Sequence, residues 1–129
     1  MISENAYLSD LHFEHKVWMN ELNFFEDEIQ TFEHRLEELA KQNLTNREVM
    51  VELEHFQNQF IRQKDVINDL KHDIRMHEQY LNKIVKANPD EVDQPKFKDH
   101  ALLRERMEIF RKIYLELKSE FFSYAAKWI

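Results

Sequence analysis

A chain of 129 residues with 25 acids, 18 bases and a net charge of −7 carries no glycine and no cysteine. Without cysteine it has no disulfide scaffold, thiolate metal site or cysteine nucleophile. Without glycine, phosphate-cradling loops, nucleophile elbows and dinucleotide fingerprints are excluded in their usual form, because each needs backbone that glycine adopts most readily.

The acidic balance argues against nucleic acid as a partner, since that binding rests on clustered lysine and arginine. No apolar run approaches the length that crosses a bilayer, and the polar, acidic N-terminus does not read as a signal peptide. A soluble, cytoplasmic protein with no membrane partner is expected. By length it is one domain, 1–129.

The first predicted element is a helix over about 5–41. Its apolar positions recur at alternating steps of four and three residues: Leu8, Leu11, His15, Trp18, Leu22, Phe25, Ile29, Phe32, Leu36 and Leu39. The pattern breaks over about 42–45, where Thr45 followed by Glu48 matches a capping box. A second helix, about 46–86, carries Val49, Leu53, Phe56, Phe60, Gln63, Ile67, Leu70, Ile74, His77, Leu81 and Ile84 on its seam. A linker over about 87–95 holds both prolines, Pro89 and Pro95, each read as lying outside a helix. The third helix, about 96–128, repeats the pattern with His100, Leu103, Met107, Phe110, Tyr114, Leu117, Phe121, Tyr124 and Trp128.

A repeat of 3.5 residues kept through three segments is the mark of helices packed as in coiled coils. Short connections between long helices make neighbours antiparallel. The expected fold is therefore all-α: an elongated up-down-up three-helix antiparallel bundle with coiled-coil-like heptad packing. Because heptads do not say which chain supplies each neighbour, a helical homodimer is the alternative. Residues 1–60 hold thirteen acids and four bases, which in a bundle implies an acidic first helix beside more basic ones.

If Leu39 turns back onto Leu53, paired positions on helices 1 and 2 sum to about 92. Helix 3 would then follow helix 1 at an offset of about 92. Trp18 would meet Ile74 and Phe110, Phe25 would meet Ile67 and Leu117, and Phe32 would meet Phe60 and Tyr124. Glu14 would fall near Arg111, and Glu21 near Lys118.

Three of the four polar seam residues are histidines, and this register gathers them at the end closed by the proline linker. His15, His77 and Met107 share a layer. His100 lies in the next layer with Leu8 and Ile84, and His12 lies on the flank. Three readings follow: a satisfied polar layer, with one ring bonded to the other or to Asp73; a site for one transition metal ion; or a layer that loosens when two facing imidazoles are protonated. A carboxylate-bridged di-iron centre is disfavoured because the seams hold no carboxylate. His34, His55 and His72 read as surface residues. No catalytic constellation is visible, so the protein reads as a non-enzyme without a required cofactor.

Apolar residues also lie off the seam. Phe13, Val17 and Phe24 share an outer face of helix 1, and Leu102, Ile109, Ile113, Leu115 and Phe122 are surplus on helix 3, although Ile113 and Met19 can be absorbed by a wider core. An outer stripe with two phenylalanines marks a contact surface, which points to protein association, with a homo-oligomer the expected form. In outline, three long helices with Trp18 midway in the first resemble spectrin-type repeats. That likeness implies the architecture alone. The expected function is therefore non-enzymatic protein association through Phe13, Val17 and Phe24, and the alternative is metal binding by His15, His77 and Met107 with His100 or His12 nearby.

Overall fold

The computed structural model describes residues 4–87 and 94–128, with side chains over 9–83 and 98–128. Three α-helices follow one another: α1 (Glu4–Gln42), α2 (Arg47–Ala87) and α3 (Gln94–Trp128). The described residues contain no strand, and every pair of helices is in contact. At about 1.5 Å per residue these are rods of roughly 50 to 60 Å. None is long and apolar enough to cross a membrane.

The connection between α1 and α2 is closed by asparagines. Asn43 donates its side-chain amide to the Leu39 carbonyl at 2.9 Å, satisfying an acceptor at the end of α1. Asn46 accepts the Val49 backbone N–H at 3.4 Å and so caps α2. The cap is Asn46, one residue later than the Thr45 of the expected box, because helical backbone begins only at Arg47. At the other connection, Pro95 lies in the first turn of α3 instead of the linker. The backbone N–H groups of a first turn have no partner within the helix, so proline costs nothing there. Pro89 falls outside the described residues.

The side chains at the four-and-three spacing are the buried ones. Leu22, Ile29, Leu36, Val49, Phe60, Ile67 and Tyr114 are each fully inaccessible and belong to one continuous apolar cluster. Contacts between α1 and α2 run antiparallel and follow the expected sum: the Phe32 and Phe60 rings lie 5.8 Å apart, and the His15 and His77 rings 5.1 Å.

The third helix departs from expectation. Phe25 packs on Tyr114 at 4.5 Å instead of Leu117, and Phe32 on Phe121 at 5.0 Å instead of Tyr124. α3 therefore sits about one helical turn away from the expected offset. A shift of three residues exchanges one seam position for the other, and both are apolar, so the apolar pattern alone does not separate the two registers.

Charge does separate them. Glu14 binds Arg104, Glu21 binds Arg111 and Glu28 binds Lys118, each pair 90 residues apart. The expected Glu14–Arg111 and Glu21–Lys118 pairs are replaced by partners one heptad earlier. At the expected spacing Glu28 would face Ala125 and Arg104 would face Tyr7, so the observed ladder makes three pairs instead of two. Glu33 with Lys64 and Glu26 with Lys71 add two more links from α1 to α2. The acidic excess of the N-terminal half is thus used against bases on both other helices.

Substituting Phe60→Ala should lower the free energy of urea unfolding by about 3 to 5 kcal/mol. Phe13→Ala, at a side chain 67% exposed, should stay within about 0.5 kcal/mol.

Candidate functional site

The register of α3 brings three histidines from three helices together. His15, His77 and His100 are all buried, and one ring nitrogen from each lies within 4.8 Å of the others. His15 is thus joined by His100, and not only by His77. Met107, expected in this layer, stands seven residues beyond His100, about 10 Å of helix rise, and packs in the apolar cluster. The side chains of Leu8 and Ile84, the other members of the expected terminal layer, are outside the described residues.

His15 and His100 each have a carboxylate on the outward side, and this orders the protons. A carboxylate at neutral pH only accepts, so the ring nitrogen facing it must carry the hydrogen. Glu78 meets His15 at Nδ1 through one oxygen and His12 at Nδ1 through the other. His15 therefore turns its Nε2 inward, where it accepts from His77 Nδ1 at 3.1 Å when the His15 ring is neutral. Glu14 accepts from His100 Nε2 at 2.7 Å and is itself gripped by the Arg104 guanidinium at 2.6 and 2.9 Å. That leaves His100 Nδ1 bare, buried and without a hydrogen-bond partner. Trp18 stacks on the His100 ring at 5.0 Å and 26°.

The electrostatics follow this wiring. The bond from Arg104, the largest influence, with His100 adding to it against the cost of burial, holds the Glu14 carboxyl down at about 2. For Glu78 burial works upward, but the bonds from His15 and His12 together outweigh it and hold the carboxyl below its usual range. Burial, the largest influence, lowers His100; the bond to Glu14 works against it, but burial with the neighbouring His15 and His77 prevails and the neutral form is favoured.

Such an arrangement is what a transition metal asks of imidazoles. Ligating histidines present one bare nitrogen to the ion while a carboxylate or carbonyl holds the other N–H. Glu78 does this for His15 and Glu14 does it for His100. An ion about 2.0 to 2.1 Å from each nitrogen would separate ligand atoms by about 3.4 Å, against at most 4.8 Å here. To offer Nδ1 to an ion, His77 would carry its hydrogen on Nε2. The seams lack carboxylates, and Glu14 and Glu78 reach the histidines from the flanks. Their signal in the sequence is adjacency, since each stands beside a seam histidine.

Two open grooves border the trio. One between α2 and α3, of about 710 Å³, has His77 in its wall with Met76, Tyr80, Leu102 and Ile109. The other, between α1 and α2, of about 500 Å³, is lined by His15, Met19, Ile74 and Glu78. Asp73, considered as a partner for His77, binds Arg106 at 2.7 Å. His34, His55 and His72 are exposed. The apolar stripe is also exposed, with Phe13 at 67%, Val17 at 45% and Phe24 at 57%; Ile113, expected to be absorbed by the core, is 46% exposed, whereas Met19 packs against it.

No family model, curated protein or solved structure matches the chain.

Both pKa directions have the same sign for stability in metal-free protein. His100, lowered on folding, leaves the unfolded chain to take up a proton first, so stability falls as pH drops below about 6.5. Glu14 contributes above its unfolded value of 4.5, and that contribution is lost as pH falls toward 2. Urea titrations of chelator-treated protein should show stability declining in two stages, and Glu14→Gln should diminish the lower one, leaving the share of Glu78.

Proposed function

We propose that the protein binds a transition metal ion through His15, His77 and His100. The observation that carries this reading is the buried, unpartnered Nδ1 of His100, whose other nitrogen is held by Glu14, set beside His77 and beside His15, whose outer nitrogen is held by Glu78. A polar atom left unsatisfied in a core costs about 1 to 3 kcal/mol. A metal ion would supply the missing partner. With three neutral nitrogens and no thiolate, the donor set suits zinc, copper, nickel or cobalt. Glu14 and Glu78 would act as positioning residues that hold the rings in the right tautomer.

Metal analysis of untagged protein tests this. One transition metal should be retained per trio, and a hundredfold excess over the dissociation constant should stabilise the fold by about 2.7 kcal/mol, a melting shift on the order of 10 °C. His100→Gln and His77→Gln should abolish both effects while preserving the helical spectrum. No retained metal and no melting shift with zinc, copper or nickel would sink the proposal.

A second reading, protein association through Phe13, Val17 and Phe24, is favoured by the exposure of two phenylalanines on one helix face. Sedimentation velocity at micromolar concentration should show an oligomer that Phe24→Glu dissociates. A monomer unaffected by that change would rule out self-association.

A further inference from the structure

The Glu78 carboxylate does more than orient His15. Its two oxygens meet two imidazoles of the same helix, His12 and His15, each at Nδ1. His12 and His15 are three residues apart and so share a face of α1. Glu78 immediately follows His77, and consecutive residues of a helix point about 100° apart. α2 therefore sends His77 to one nitrogen of the His15 ring and Glu78 to the other. His12 and Glu78 keep 28% and 33% of their side chains exposed, whereas His15 keeps 3%. This second convergence is thus at the rim, and His15 and Glu78 also line the α1–α2 groove.

We infer that the bundle end holds a second metal position on the outer side of the His15 ring, formed by His12 Nδ1, the Glu78 carboxylate and His15 Nδ1. The inference rests on the reading of the trio as a metal site. Two imidazoles and one carboxylate are a donor set that binds divalent first-row metals with positions left open, and solvent from the groove would fill those positions here. His15 then bridges the two ions as an imidazolate. Its Nε2 binds the inner ion and its Nδ1 the outer one, and the Nδ1 proton passes to the buffer as the second ion enters. His12 moves its hydrogen to Nε2 and loses none. The outer position brings two negative charges, from Glu78 and the imidazolate, to a pair of divalent ions whose inner member otherwise has only the neutral His77 and His100.

The test is copper stoichiometry on full-length, untagged, metal-free protein equilibrated with Cu(II) at pH 7.5, with the electron paramagnetic resonance spectrum of the loaded sample. The expected result is two copper ions per chain and an integrated spin well below two, because an imidazolate couples the ions. His12→Gln should bind one ion and give the full signal of an isolated copper, and Glu78→Gln, which also removes the support of His15, should fail to bind the second ion. The His12 variant leaves the Glu78–His15 bond in place, so it separates the outer position from the support of the inner one. A wild-type protein that stops at one copper, lost in His100→Gln, overturns the second position and keeps the first. Two ions retained by the His12 and Glu78 variants overturn the residue assignment, as does loss of both ions from a His12→Gln protein with an unchanged helical spectrum. A wild-type chain that binds no copper removes both positions.

Discussion

The lengthwise placement of α3 against α1 decides everything else at the histidine end. The apolar side chains drive assembly, but they are nearly indifferent to a slide of one turn, because a seam of alternating steps presents apolar residues at either setting. The discrimination comes from Glu14, Glu21 and Glu28 against Arg104, Arg111 and Lys118. Individually such half-exposed pairs contribute little, commonly under about 1 kcal/mol. They need only exceed the small difference between two equally greasy alternatives. A weak interaction can choose a register that strong ones leave open, and here the choice carries His100 to His15 and His77.

The bundle itself was legible because it depends on periodicity, a property each helix has alone. Helix limits came within one or two residues, and the pairing of α1 with α2 followed from their short connection. The cluster was legible as histidines converging at one end, but not in its membership. Met107 was included and His100 displaced by the same slide, since both depend on contacts between helices 90 residues apart. The charge ladder was present in the sequence and favours the observed setting by one extra pair. The carboxylates were harder. Glu14 and Glu78 sit off the seam, where a pattern of buried positions assigns solvent, yet a glutamate stem is long enough to lie along the interface and return its head to the core edge.

Around His15 the structure does something unusual for a helical core. Most polar positions in such cores are single and satisfied, as with Tyr124, whose hydroxyl donates to the Val49 carbonyl. At the histidine end seven side chains from three helices form a connected set: His12, Glu78, His15 and His77, with His100, Glu14 and Arg104 completing the far side. The bond from His15 to His77 makes each ring's proton depend on its neighbour's. A set of this kind is poorly suited to being a mere filler of space, because replacing any member leaves its neighbours unmatched.

The stacking of Trp18 on His100 adds an optical consequence. The chain has two tryptophans, Trp18 and Trp128, and Trp128 lies near the C-terminal end of α3, beyond Tyr124 and at the opposite end of the bundle. Indole emission is sensitive to a charged ring or an open-shell ion at stacking distance. One of the two native fluorophores is therefore seated on the histidine cluster, and the other serves as an internal reference some 40 Å of helix away by residue rise. The protein carries its own reporter of what happens at its polar end, with no label to perturb it.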